Sequence, residues 1–428
     1  MWYNIFKFGK RALKNIFLLL LCFSMAYFIT SIIVFPENIK LIEGEKQYFH
    51  FRLPIEATIE PDTVSALKIN NKPVRGNLKI NLYENTELLA EESGTANMTL
   101  NAFGIDVKDV KLDFLPDDEL NVIPCGSTIG VEIKTDGILV LATDYLTNID
   151  GKNVCPAENI LQTGDAILKI NGKDLVDQTD LKDEIENSTG EVSLEIKRGP
   201  EISHIKIIPE TAKKDGKRKI GVHVRDKTKG IGTLTYYHPE SRVFGALGHG
   251  IVDIDTKQIM DIKDGNIYRA RIGDIIKGKK GAPGELSGKI IDNESIGSIK
   301  KNDPLGIYGI IDENDVSYFN AEKKKIGLQN DIHEGPAKVL TNVEDEIVKE
   351  YDIYIDSVNK YTKDDSKGMV IRITDPELLS KTNGIVQGMS GSPILQDEKV
   401  IGAVTHVFVQ DPTKGYGIFI ENMLKQEL

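Results

Sequence analysis

The segment Val386-Gln387-Gly388-Met389-Ser390-Gly391-Ser392-Pro393-Ile394 holds a serine between glycines, closes it with a proline and flanks it with strand-forming residues. A serine hydroxyl attacks a carbonyl only from a tight turn that lets a substrate backbone come close, with backbone N–H groups aimed at the oxygen that becomes negative. Glycines at 388 and 391 permit the left-handed backbone and close approach of such a turn. The chemistry would be acyl transfer, with Ser390 as nucleophile and the amides of Gly388 and Ser390 as oxyanion donors. Gly, Ser and Pro are also the commonest turn residues, so the segment equally reads as a plain turn until a base is found for it.

Seven histidines are available, at 50, 204, 223, 238, 249, 333 and 406. His249 alone is set in a glycine turn, Phe244-Gly245-Ala246-Leu247-Gly248-His249-Gly250-Ile251, which makes it the candidate general base. A third group must orient the imidazole and stabilise its protonated form. Asp375, in Ile371-Arg372-Ile373-Thr374-Asp375-Pro376, is one candidate, although Asp before Pro also reads as a helix N-cap. Asp253 is its rival, and the residues alone do not separate the two. Thr405 and His406 stand on the strand after the nucleophile, either lining a substrate pocket or simply packed.

These residues need elements to position them. Uncharged residues run from 16 to 35 after a basic stretch, 1–15, that carries Lys7, Lys10, Arg11 and Lys14. Twenty such residues suffice to cross a bilayer, and the preceding charges put the N-terminus in the cytoplasm and the rest of the chain outside it. A cleaved signal peptide fits less well, because the run is long and ends without a small-residue cleavage site. Residues 36–115 alternate polar and apolar in short stretches, as small antiparallel strands do, and read as a β-rich spacer. With 53 basic and 65 acidic residues the formal charge is −12, against a nucleic-acid partner. Cys125 and Cys155 either pair or stay free, and no Cys or His spacing suits a metal, so neither a metal nor another cofactor is expected.

Residues 116–212 resemble a PDZ domain. The carrying motif is Leu161-Gln162-Thr163-Gly164-Asp165-Ala166-Ile167-Leu168-Lys169-Ile170-Asn171-Gly172, followed by a helix near 178–187 and a strand over 192–198. Such a domain takes a peptide as an added strand, and the loop of Thr128, Ile129, Gly130 and Val131 is expected to hold the peptide's carboxylate. The charged run 213–219 reads as a linker. Beyond it, residues 213–428 carry short strand patterns at 220–224, 232–237, 305–311, 369–373, 393–395, 400–409 and 417–420.

Taken together, the apolar run, the PDZ-like segment and the motifs around His249, Asp375 and Ser390 resemble the SpoIVB serine peptidase family of endospore-forming bacteria. The resemblance implies a mainly β chain that ends in a trypsin-like double β-barrel, with His249 as base, Asp375 orienting it and Ser390 as nucleophile. It implies self-cleavage in the 36–115 region and a place in the intermembrane space of the forespore. Its substrate there would be a membrane-bound regulator of an intramembrane metalloprotease, whose cleavage activates a late sigma factor. The PDZ-bound peptide would be the chain's own N-terminal region or a partner's tail. Two other readings are an inactive membrane-tethered PDZ adaptor and a general quality-control peptidase of the HtrA type. The second places its PDZ after the peptidase, whereas here the PDZ pattern comes first.

Overall fold

In the computed structural model the described residues are 15–16, 18–26, 28–30, 32–33, 35, 37–49, 55–64, 66–84, 86–116, 121–319, 321–360, 362 and 364–426. The chain divides into two compact units, Met1–Asn121 and Val122–Leu428.

In the first unit the period-two patterns fold as expected. Asn38–Ile42, Ile105–Leu115, Gly94–Ala102, Glu56–Pro61 and Leu78–Asn81 form a five-stranded sheet, and Gln47–Phe49, Thr86–Ala90, Leu67–Ile69 and Lys72–Pro73 a four-stranded one. Alternate residues such as Ala57, Ile59, Leu100 and Leu112 bury into a common core. The segment is therefore a folded β unit and more than a spacer. The described residues between 15 and 33 are helical, while 1–14, 17, 27, 31 and 34 lie outside the described set. Among the described residues no helix is long and apolar enough to cross a membrane.

The second unit contains two closed rings of six strands. In the first, Thr128–Thr143 pairs with Ile262–Ile276, then Gly284–Asp303, Gly306–Ile311, Val243–Ala246 and Val222–Tyr237, which pairs back to Thr128–Thr143. Ile129, Ile133, Leu234, Phe244, Ile267 and Ile307 fill it. The second barrel runs Gly335–Glu344, Ile347–Val358, Met369–Ile373, Asp411–Phe419, Lys399–Phe408 and Pro393–Gln396, around Val339, Ile355, Ile371, Ile394 and Val404. Inward and outward residues alternate along its strands, as in Ile347–Val358, where Tyr351, Ile353 and Ile355 are buried and the residues between them are not.

The PDZ-like module is inserted into the first barrel instead of preceding it. Thr128–Thr143 spends its first half in the barrel, then turns at a register shift after Lys134 and pairs with Ala166–Ile170. The module continues through Gln178–Glu186, Val192–Arg198 and Glu201–Ile207, and the chain re-enters the barrel along Val222–Tyr237. The boundary expected at 212–213 does not coincide with the edge of this barrel, whose first strand begins at Thr128. The charged run 213–219 is no linker either, since Glu210–Thr211 and Arg218–Lys219 pair as a hairpin. Arg218 ties that hairpin down by donating to the carbonyls of Ser188, Gly190 and Pro209.

Two details of the module follow from its motif. Asn171 and Gly172 both take positive φ, 51° and 81°, the geometry that a two-residue hairpin requires. Asp165 is buried and accepts a two-pronged contact from Arg198, Nε to Oδ1 and Nη2 to Oδ2 at 2.7 Å each. Cys125 is buried, Cys155 is half-buried, and both are free thiols.

Candidate active site

His249 and Ser390 line one cleft of about 510 Å³, where the turn after Val243–Ala246 meets the turn after Val386–Gln387. The nucleophile turn is built by its glycines. Gly388 and Gly391 have φ of 99° and 95°, and a Cβ on Gly391 would lie 2.2 Å from the Thr233 carbonyl. The Gly391 N–H donates to the Val404 carbonyl at 2.8 Å and the Ser392 N–H to that of Met389 at 3.0 Å. Among the described residues no backbone carbonyl accepts from the Ser390 N–H, which leaves it for a ligand.

The two serines of the motif are distinguished by what holds them. Ser392 is fully buried, and its hydroxyl donates to Thr341 Oγ1 at 3.0 Å. Ser390 is half-buried at the cleft, with its hydroxyl donating to the Thr405 carbonyl at 2.7 Å.

His249 sits on a strained turn. Leu247 before it has φ of 70°, a region that a branched side chain rarely occupies, and Gly248 follows at 69°. Asn302 locks the far side, accepting from the Ile251 N–H at 2.8 Å and donating to the Ile251 and Met260 carbonyls at 2.9 and 3.0 Å. His249 Nδ1 lies 2.9 Å from the Gly250 carbonyl. A carbonyl can only accept, so Nδ1 carries the proton and Nε2 keeps its lone pair for a serine hydroxyl. Burial pushes the imidazole below the ordinary histidine range, with the Gly250 carbonyl pulling the other way. The His406 ring lies 5.1 Å away, lines the same cleft, and is pushed down by burial and then by His249.

Neither candidate for the third partner, Asp375 from the resemblance or its rival Asp253, reaches the cleft. Asp375 caps the helix Pro376–Thr382, accepting from the Leu378 N–H at 3.0 Å, and also from the Asp352 N–H at 3.4 Å. It lines no part of the cleft, and the Gly250 carbonyl occupies Nδ1, the nitrogen that faces the carboxylate in a Ser-His-Asp triad. The cap won because a residue with extended backbone before a helix finds free N–H groups two and three positions on. Asp253 is no substitute. It is buried, pairs with Arg225, and accepts from the Asp255 and Thr256 amides at 3.0 and 2.9 Å.

The peptide loop also needs correction. Thr128, Ile129, Gly130 and Val131 are buried strand, paired on one side to Thr233, Gly232, Ile231 and Gly230. On the other side, Ile129, Gly130 and Val131 pair with Arg269, Tyr268 and Ile267, so no peptide can add as a strand along this segment. A groove of about 950 Å³ lies instead between the helix Gln178–Glu186 and the residues Lys219, Ile220, Gly221, Val222, His223 and Val224. The signal for it was present, because Ile220-Gly221-Val222 repeats the glycine-into-strand pattern of Ile129-Gly130-Val131.

Compared with known proteins, residues 216–424 match the family model described as SpoIVB peptidase S55. No curated protein matches the chain. Among solved structures it is similar to the PDZ domain of the SdrC-like protein from Listeria monocytogenes, at 22% identity over 22% of this chain and 90% of that one, TM-score 0.17. It is also similar to the HtrA-type protease AlgW with decapeptide, at 8% identity over 71% of this chain and 63% of that one, TM-score 0.29.

Proposed function

Because the chain belongs, through residues 216–424, to the SpoIVB peptidase S55 family, we propose that it is a serine endopeptidase in which Ser390 attacks and His249 takes the proton. The observation that carries this is the single cleft holding an accessible Ser390 and a His249 whose free lone pair is on Nε2. On binding substrate, the Ser390 hydroxyl leaves the Thr405 carbonyl and turns to His249 Nε2. Its oxygen attacks the scissile carbonyl while the amides of Ser390 and Gly388 receive the oxyanion. The imidazolium then protonates the leaving amine, and water, deprotonated by His249, hydrolyses the acyl-enzyme. The Gly250 carbonyl supports the imidazolium in the place that a carboxylate holds in a full triad.

The lining supports apolar substrate side chains. Pro283, Ile385, Val386, Val407 and Val409 face the cleft, and His249 and His406 are its only ionisable lining residues among those described.

The family resemblance supports the wider role. The enzyme is anchored by residues 16–35 with its catalytic unit outside the cytoplasm, cuts itself in the 36–115 region, and then cuts a membrane-bound regulator of an intramembrane metalloprotease during sporulation. The deciding experiment labels the full chain with a fluorophosphonate and maps the adduct. Modification of Ser390, lost in Ser390→Ala and kept in Ser392→Ala, is expected; modification of Ser392 alone would sink the assignment. Protease protection of the C-terminal unit inside sealed cytoplasmic vesicles would sink the topology.

A further inference from the structure

Thr233 is a buried residue of Val222–Tyr237, and each of its polar groups reaches one of the two turns that form the site. Its hydroxyl donates to the Gly388 carbonyl at 2.7 Å. Its N–H donates to the Ser390 carbonyl at 3.2 Å, and its own carbonyl accepts from the Leu247 N–H at 3.2 Å. Two of these bonds hold the nucleophile turn, and the third holds the turn that presents His249. Gly391 is squeezed into the same junction, where a Cβ would meet the Thr233 carbonyl at 2.2 Å and the Leu247 nitrogen at 2.5 Å.

The hydroxyl contact matters for a specific reason. The Gly388 carbonyl and the Met389 N–H belong to one peptide plane, which lies between the amides of Gly388 and Ser390. Thr233 holds the carbonyl edge of that plane, and the Val386 carbonyl accepts from its N–H edge at 3.1 Å. With both edges held the plane cannot turn over, and the amides on either side keep the direction that an oxyanion needs. Removing the hydroxyl frees the carbonyl edge and leaves a polar group without its partner.

We infer that Thr233 is the positioning residue that sets Ser390 and its oxyanion amides against His249, its hydroxyl fixing the peptide plane between Gly388 and Met389. The inference rests on the peptidase reading above. Any residue could supply the two backbone bonds; the hydroxyl is what threonine or serine adds. Thr235 provides a matched comparison, since it is equally buried two positions along the strand while its hydroxyl has no partner among the described residues.

The test compares full-length wild type, Thr233→Val, Thr233→Ser and Thr235→Val, by the rate of fluorophosphonate labelling at Ser390, by kcat and KM on a small uncharged ester, and by Tm. Displacing the turn is expected to slow labelling and kcat of Thr233→Val by about 10²-fold with KM nearly unchanged. Thr233→Ser should recover most of that loss, and Thr235→Val should label like wild type. Labelling of Thr233→Val at the wild-type rate would overturn the inference and leave the peptidase reading intact. So would equal impairment of Thr233→Ser and Thr233→Val at matched Tm, a comparison that Thr233→Ser against wild type still makes if the valine variant fails to fold. A wild-type chain unlabelled at Ser390 would instead remove the peptidase reading on which the inference stands.

Discussion

One strand, Val222–Tyr237, borders two different depressions. Its first residues line the groove of the PDZ-like module, and Thr228, Gly230, Ile231 and Gly232 line the cleft of His249 and Ser390. The groove is rimmed by charge, with Lys182, Lys214, Arg218 and Lys219 on one side of the balance and Asp144 and Glu186 on the other. Apart from its two histidines, the cleft is lined by uncharged side chains. An open strand edge recognises backbone and a terminal carboxylate whatever the side chains. An apolar cleft selects by side chain and keeps a base neutral. The two depressions thus differ in their electrostatics while sharing a strand.

The largest expected effect breaks the cleft alone. Ser390→Ala should lower turnover of a small ester by about 10⁴–10⁶-fold, while a fluorescent peptide ending in a free carboxylate binds the groove as in wild type. Loss of peptide binding in that variant would show that the two depressions are one site.

The converse break is Gly221→Val. Its φ of 72° and a Cβ position 2.4 Å from the Asp144 carbonyl leave no room for a side chain. Binding of the same peptide, followed by anisotropy, should weaken at least about tenfold, since the strand edge that receives it is displaced, with ester turnover retained. Gly130→Ala, placed in the loop first expected to bind peptide, should lower Tm and leave peptide affinity unchanged.

A smaller effect sharpens the electrostatic contrast. On the proposed mechanism His249 works as a base when neutral, and burial lowers its pKa from the ordinary 6.5. Falling pH removes the base by protonation, and a lowered pKa moves that loss to more acid conditions. The acid limb of kcat/KM on a neutral ester should therefore have its midpoint below 6.5. A midpoint above that value would mean that a carboxylate acts on His249 in the working enzyme.

The smallest effect is expected at Asp375. Asn is as good an N-cap as Asp, so Asp375→Asn should keep the fold and, with Gly250 on Nδ1, change turnover by less than about threefold. Asp375→Ala should cost about 1 kcal/mol of stability through the lost cap, read as a drop in Tm. A fall of about 10⁴-fold in Asp375→Asn would show that the carboxylate moves to His249 when substrate binds.

The features that residue types and spacing establish are local ones. The turn at Asn171-Gly172, the helix Gln178–Glu186 behind its Asp177 cap, and the glycine turns around His249 and Ser390 depend on neighbours within a few residues, so residue types and spacing suffice to state them. Strands with clear alternation or continuous apolar runs, such as Met369–Ile373 and Lys399–Phe408, were legible for the same reason. The long strands Ile262–Ile276 and Gly284–Asp303 were not, because charges and glycines interrupt their pattern where one face leaves the barrel core.

Tertiary structure decided everything that depends on which distant segments meet. It buried Ser392 against Thr341, 51 positions earlier in the chain, and left Ser390 at the cleft. It sealed Ile129, Gly130 and Val131 between two strands and opened the similar residues at 220–222 to a groove. It put Asp375 on its own helix instead of on His249. Each of these is a choice among chemically equivalent candidates, and only pairing across the barrels distinguishes them: a buried donor or acceptor must find a partner, and the fold determines which one is in reach.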